Sequence, residues 1–266
     1  MFIHERVLME AVVKINRDIS QIFDIFKKNG FDAYVVGGCV RDSLLGKKPV
    51  DWDIATDAEP SRIKALFEKT VDTGIKHGTV TVIMNGQAYE VTTFRIDGKY
   101  EDGRHPSSVR FTGNIEDDLR RRDFTMNALA WNEEKGIVDP FGGVRDIEAR
   151  LIRAVGVPGE RFKEDALRML RAIRFAATLD FEIHRETLEA IAENRELIRN
   201  ISAERIRDEL TGIITSPNPG KFMLLKETGL LEIILPEVNA CFNTPQHNPH
   251  HIYNVGEHTM KTVESV

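Results

Sequence analysis

The chain has 266 residues, of which 41% are hydrophobic and 29% charged, and its net charge is −6. That composition is globular and long enough for one large or two ordinary domains, which excludes a chain disordered throughout. The acidic balance excludes a protein that grips nucleic acid over its whole surface, while a local basic groove, such as Arg120 to Arg122 with the arginines near 170, stays compatible with it.

The N-terminus is broken by charges and lacks the cleavage pattern of a secretory signal, and no stretch suits a membrane span. Cys39 and Cys241 are too few and too isolated for a disulfide framework or a zinc cluster, which fits a reducing cytoplasm. Residues 5–28 show helical spacing, with Val12, Ile15, Ile19, Ile22, Phe23 and Phe26 as an apolar stripe and Asn29-Gly30 as a stop. Residues 33–36 then form a short β-rich apolar run, ended by Gly37 and Gly38, and residues 39–45 read as a short helix closed by Gly46. Glycines without a Cβ let a ligand approach the backbone, and helix-initial amides favour anions, so a triphosphate suits Gly37, Gly38 and Arg41. A plain turn is the alternative.

Asp51 and Asp53 flank Trp52 at the start of a second apolar run. Alternate strand residues share a face, so the two carboxylates are expected side by side, repelling each other unless a divalent cation lies between them. Hard oxygen ligands suit Mg2+, and a two-magnesium site of this kind serves in-line nucleotidyl transfer, activating a hydroxyl and stabilising the leaving pyrophosphate. A solvated Asp pair in a turn is the competing reading.

Pro60 suits the first turn of a helix running to about residue 69, with Ile63, Leu66 and Phe67 inward. Residues 79–84 and 87–94 are β-rich runs separated by Asn85-Gly86, which predicts a tight hairpin, with residues 74–78 as the turn feeding it. Glu90, inside the second run, is a candidate third acid near the metals or else an exposed strand residue. Residues 97–114 are polar and glycine-bearing, interrupted by Pro106, and read as a loop able to move. Three adjacent arginines, Arg120 to Arg122, cannot all share one helical face. Residues 139–143 make a turn, and 144–152 connect to the second half.

Residues 163–179 read as one helix with Asp165 and Arg168 a turn apart on one face. Cytosine and adenine each carry an amino donor beside an unprotonated ring nitrogen, so a carboxylate and a guanidinium fit both, whereas uracil and guanine present the opposite pattern. Arg171 continues the spacing. Arg174 lies roughly half a turn round from Asp165 and fits less well. An ordinary surface ion pair is the alternative for Asp165 and Arg168. Helical patterns continue to Pro236. Residues 241–266 carry His247, His250, His251 and His258 but suggest no metal site, and the chain stops inside a helical pattern, so it is read as cut short.

The run G-G-C-V-R-D-S-L-L-G-K-K-P-V-D-W-D-I-A-T resembles the signature of bacterial tRNA nucleotidyltransferases (CCA-adding enzymes, class II) and bacterial poly(A) polymerases. The resemblance continues in order through G-T-V-T-V, Y-E-V-T-T-F-R, R-R-D-F-T-M-N-A-L-A, D-P-F-G-G and E-D-A-L-R-M-L-R-A-I-R-F, covering roughly residues 30–240. It implies an α+β fold: a polymerase-β-like nucleotidyltransferase head with a small mixed β-sheet over residues 1–150, an all-helical neck over 151–240, and from 241 the start of a helical domain of HD type. The His-Asp pair that defines an HD domain, and with it a phosphohydrolase, is absent.

The implied function is template-independent addition of CMP and AMP, from CTP and ATP, to the 3′ end of tRNA in the cytoplasm. By the same resemblance, Asp51 and Asp53 hold Mg2+; Gly38, Arg41 and Arg122 hold triphosphate; Asp165 and Arg168 select the base, with Arg171 and Arg174 beside them. The flexible loop in relatives helps switch from cytidine to adenosine addition, and here it has full length. An adenosine-only adder or a poly(A) polymerase shares this head, and a non-catalytic RNA-binding module is the reading from another class. Neither carboxylate of the Asp pair is replaced, which argues against that last reading.

Overall fold

The structure, a computed structural model, describes residues 13–98, 107–246 and 252–265. These form two compact units, one of the described residues up to 149 and one from residue 150 onward.

The first unit begins with helix α1, Arg17–Lys28, where the Asn16 side chain accepts the Ile19 amide and closes the first turn. Asp18 in the first turn and Lys27 and Lys28 in the last complement the helix dipole. This helix therefore starts at Arg17: of the expected stripe, Ile19, Ile22 and Phe26 are buried, Ile15 precedes the cap, and Val12, with the rest of residues 5–12, lies outside the described residues. An asparagine that can cap sets the start more strongly than an apolar spacing that runs past it.

Strand β1 (Ala33–Val36) is buried at every position, and α2 (Gly38–Leu44) follows it through Gly37. Strand β2 is Asp53–Thr56, and α3 (Pro60–Leu66) has Pro60 in its first turn. The latter stops before residue 69 because Phe67 turns extended and packs its ring edge-on to Phe26 at 5.3 Å. Strand β3 (Thr70–Gly74) precedes the hairpin of β4 (Thr79–Met84) and β5 (Gln87–Thr93), whose turn residues Asn85 and Gly86 both have positive φ. Short β6 (Arg95–Asp97) and β7 (Val109–Phe111) pair with each other. Helix α4 (Ile115–Arg120), strands β8 (Ala130–Asn132) and β9 (Gly136–Val138), and α5 (Gly143–Glu148) complete the unit.

Seven of these strands form one mixed sheet in the order β3-β4-β5-β2-β1-β8-β9. All neighbours are antiparallel except β2 and β5, which run parallel. The sheet and α1 enclose a core that includes Tyr34, Phe94, Phe124 and Met126. Within α4, Asp118 is fully buried, bonded to Arg121 at 2.8 Å and Arg122 at 3.3 Å. Burial alone would raise its carboxyl, but the two arginine charges and the hydrogen bonds from Arg121 outweigh it and hold Asp118 below the usual range.

The second unit is not wholly helical: β10 (Leu151–Ile152) and β11 (Glu182–Ile183) form a two-residue parallel ladder. Helices α6 (Pro158–Glu164), α7 (Leu167–Leu179), α8 (Arg185–Asn194) and α9 (Ala203–Ile214) follow, then short α10 (Met223–Glu227), α11 (Leu230–Ile234) and α12 (Pro236–Cys241). Helix α13 (Val255–Glu264) opens on a reciprocal cap between Asn254 and Glu257. Phe162, Leu170, Ile173, Phe181, Ile191 and Ile213 form the core.

The expected helix over 163–179 is in fact two, because Asp165 breaks it with φ −146° and ψ 106°. Its side chain accepts the Leu167 amide at 3.0 Å and its carbonyl accepts the Arg168 amide, the backbone competition that makes Asp a poor interior helix residue. His247, His250 and His251 lie outside the described residues, and His258 is exposed on α13.

Two outcomes follow from this packing. Cys39 is 3% exposed, its thiol donates to the Val36 carbonyl, and burial pushes it up to about 12. Thiol titration is expected to modify Cys241 in the native protein and Cys39 only after unfolding. Asp118→Asn is expected to destabilise the head by about 3 kcal/mol at neutral pH. Because the folded carboxyl is depressed, this stabilisation is present above the unfolded range and is lost as pH falls through the folded value. Urea unfolding of both proteins should therefore show the gap narrowing below about pH 4.

Candidate active site

The site in the first unit starts where β1 ends. Gly37 has φ +77° and ψ −128°, and a Cβ there would lie 2.7 Å from Arg122 Nη1, so the turn requires glycine for both conformation and space. Its amide is already bonded to the Leu129 carbonyl, so among the helix-initial amides this one is committed to the fold. Gly38 opens α2 with Arg41 Nη2 3.5 Å from where its Cβ would be. Arg41 is buried and oriented by Asn127 Oδ1 at 2.6 Å and by the Asp42 carboxylate. Arg122 is held by Asp118, and among the described residues its buried Nε has no hydrogen-bond partner. A buried guanidinium nitrogen left unsatisfied beside a glycine turn is a ready anion contact.

Asp53 is the first residue of β2, in register with Val36 on one side and with Glu90 of β5 on the other. Registered neighbours share a sheet face, so Glu90, exposed, stands beside Asp53. Asp51 precedes the strand rather than belonging to it. The pair is thus not brought together by strand alternation; Asp51 reaches Asp53 from the irregular approach segment. Desolvation raises the Asp53 carboxyl most; Arg122 lowers it, and the charge of Asp51 raises it further.

These carboxylates border an open cavity of about 690 Å3, lined also by Lys48, Trp52 and Tyr89. The Tyr89 hydroxyl donates to Asp18 and accepts from Asn16, tying β5 to the start of α1. Among the described residues no three His, Cys, Asp or Glu side chains converge as a ready-made metal cage. Two repelling carboxylates, one with a raised pKa, are nevertheless hard oxygen donors of the kind that suit a divalent cation.

Of the three arginines, Arg120 is exposed with its guanidinium 5.9 Å from the Phe141 ring, and Arg121 is bound to Asp118 and lies 3.8 Å from Asp97. Arg122 alone reaches the glycine turn. Sequence reasoning missed Asp118, for which the only available signal is an acid one turn before an arginine run. It also missed the Asn16–Asp18–Tyr89 link, which spans more than seventy positions and leaves no local trace.

In the second unit, Asp165 Oδ2 accepts from Arg205 at 2.9 Å. Arg168 donates to Glu164 Oε2 at 2.6 Å and to the Arg161 carbonyl at 3.2 Å. Asp165 and Arg168 are therefore not on one continuous helix, and each has a different partner. Arg171 and Arg174 both lie over the Phe175 ring, at 5.3 and 4.5 Å, and Arg174 is also bonded to Glu209 at 2.6 Å.

Residues 33–153 match the Poly A polymerase head domain, and residues 180–242 match the probable RNA and SrmB-binding site of polymerase A. The CCA-adding enzyme of Lactobacillus johnsonii is 52% identical over 204 residues, which are 76% of this chain and 51% of that protein. The CCA-adding enzyme of Geobacillus stearothermophilus is 51% identical over 79% of this chain and 52% of its own. The chain thus spans about half the length of the curated relatives it matches.

Among solved structures, the Bacillus stearothermophilus CCA-adding enzyme in complex with CTP has a TM-score of 0.74 and 47% identity, covering 80% of this chain and 52% of that one. The Thermotoga maritima CCA-adding enzyme complexed with tRNA-CCA has a TM-score of 0.67 and 28% identity, covering 92% and 57%. The head and RNA-binding matches follow one another along the chain, and the relatives run at about half identity over most of it, so the chain belongs to the family of CCA-adding tRNA nucleotidyltransferases and poly(A) polymerases.

Proposed function

We propose that this chain carries the catalytic head and base-reading neck of a template-independent tRNA nucleotidyltransferase, which adds CMP and AMP from CTP and ATP to the 3′ end of tRNA and releases pyrophosphate. The observation that carries this reading is Asp53, fixed by sheet register beside Glu90, crowded by Asp51, and within the field of Arg122 at the glycine turn. The relatives named above, one with CTP and one with tRNA-CCA, support it.

The family uses divalent metal ions generally, and we assign magnesium to Asp51 and Asp53, with Glu90 as an outer acid. Bound there, magnesium lowers the pKa of an attacking hydroxyl and neutralises charge on a leaving pyrophosphate. Asp51 and Asp53 would hold that ion beside the triphosphate site. Gly37 leaves room for the Arg122 guanidinium, and Gly38, Arg41 and Arg122 take the chain of anionic oxygens, with Arg122 Nε supplying an otherwise unmade hydrogen bond.

In the neck, Asp165 accepts from the exocyclic amino group of cytosine or adenine, and Arg168 donates to the adjacent ring nitrogen. Arg171 and Arg174, aligned over Phe175, lend positive charge to that region. The head covers residues 1–150 and the neck 151–240, and from 241 a further helical domain begins. Among the described residues no helix is long and apolar enough to cross a membrane, and we place the reaction in the cytoplasm. Poly(A) polymerase activity is the second reading, favoured by the description of the head-domain match.

The test is extension of tRNA transcripts ending before CCA, after C, or after CC, with labelled CTP or ATP and magnesium. Incorporation of two C and one A is expected. Asp53→Ala should lower the rate by at least about a thousandfold, and Arg122→Ala should mainly raise the KM for nucleotide, by about tenfold. Long runs of A would install the poly(A) reading instead, and an unaffected Asp53→Ala would overturn the site.

A further inference from the structure

Asp165 is gripped from two directions. The Leu167 amide bonds Oδ1 at 3.0 Å, and Arg205, from the separate helix α9, bonds Oδ2 at 2.9 Å. We infer that Arg205 is a positioning residue for base selection, setting which lone pairs of Asp165 meet the incoming nucleobase; this rests on the base-reading role proposed above for Asp165.

An ionised carboxylate offers about four lone-pair directions, two on each oxygen. The Leu167 amide occupies one on Oδ1 and Arg205 one on Oδ2, so a single acceptor direction per oxygen remains, and the plane of the group is fixed. Without Arg205 the only remaining tie is the backbone amide, and the terminal torsion of an aspartate is broad and roughly two-fold. A carboxylate free to turn accepts from an amino donor in many orientations and from water in all of them. It then loses the directional contrast between an amino group and a carbonyl on which discrimination depends.

The placement of Arg205 is itself built. Arg205, Glu209 and Gly212 recur at the spacing that puts three residues on one face of α9. Glu209 is buried and bonded to Arg174 of α7 at 2.6 Å. A Cβ at Gly212 would lie 2.6 Å from Arg174 Cδ, so glycine permits the close approach. One stripe therefore docks α9 on α7 at Glu209 and Gly212 and delivers Arg205 to Asp165. Arg205 is half-buried, with 24% of its side chain exposed, whereas the Arg207 side chain is exposed and bonded to its neighbour Asp208.

The experiment is calorimetric binding of CTP, ATP, UTP and GTP, each with magnesium, to the wild-type chain and to Arg205→Ala, Arg205→Lys, Arg207→Ala, Glu209→Ala and Asp165→Asn, with thermal unfolding of each variant alongside. Arg205→Ala is expected to lower the preference for CTP and ATP over UTP and GTP by about tenfold, and Arg205→Lys to recover part of it. Arg207→Ala should match wild type. Adding Arg205→Ala to Asp165→Asn should change nothing further, since the two act as one unit.

Loss of preference in Asp165→Asn but not in Arg205→Ala would overturn the positioning role and leave base reading intact. Unchanged preference in both, or none in the wild type, would overturn base reading by Asp165 itself. Equal loss in Glu209→Ala, which removes the neighbouring interhelix pair without touching Asp165, would reduce Arg205 to a packing role and overturn the inference.

Discussion

The head is organised around a conflict of like charges. Asp51 and Asp53 stand close enough that the negative charge of one raises the carboxyl of the other, in surroundings that already disfavour ionisation. Arg122 offsets part of that conflict, and Asp118, fully buried, keeps Arg122 where it is. Each contact backs the next: a buried acid fixes an arginine, the arginine is admitted by a glycine turn, and the arginine's field reaches an acid at the mouth of a strand. A carboxylate crowded in this way gains most from a cation, so the arrangement selects its ligand by charge before shape has any part.

The fold was readable where local chemistry dictates geometry. Asn85-Gly86 announced a hairpin because few other residues accept positive φ at both turn positions, and the run from Ala33 to Val36 was legible as a short apolar strand, which the fold buries at every position. Strands β8 and β9 were not, because at three residues each they owe their state to pairing with β1 and with each other. The break at Asp165 was the most instructive miss. An apolar periodicity carries through it, but one side chain that bonds two residues ahead ends a helix that spacing would have continued.

Candidate site residues were legible as types, and their partners were not. The arginines near 120 and 170 looked like an open basic groove in an acidic protein. Most are instead matched to acids: Arg121 and Arg122 to Asp118, Arg168 to Glu164, Arg174 to Glu209. A guanidinium held by a carboxylate keeps further donors on its fixed fork, so pairing orients these side chains without removing them from chemistry. It also explains how a chain with net charge −6 presents positive groups locally.

The parallel pairing of β2 with β5 bears on how the head comes into being. Asp53 and Glu90 are neighbours in space, yet a helix, a strand and half a hairpin separate them along the chain. Their ladder closes a long loop and costs more chain entropy than the local hairpin of β4 and β5, whose closure is fast by comparison. Loop-closure entropy therefore favours the hairpin forming before Glu90 meets Asp53. Asp51 and Asp53 are chain neighbours from the outset, and the third acid, Glu90, joins them only when β2 and β5 pair.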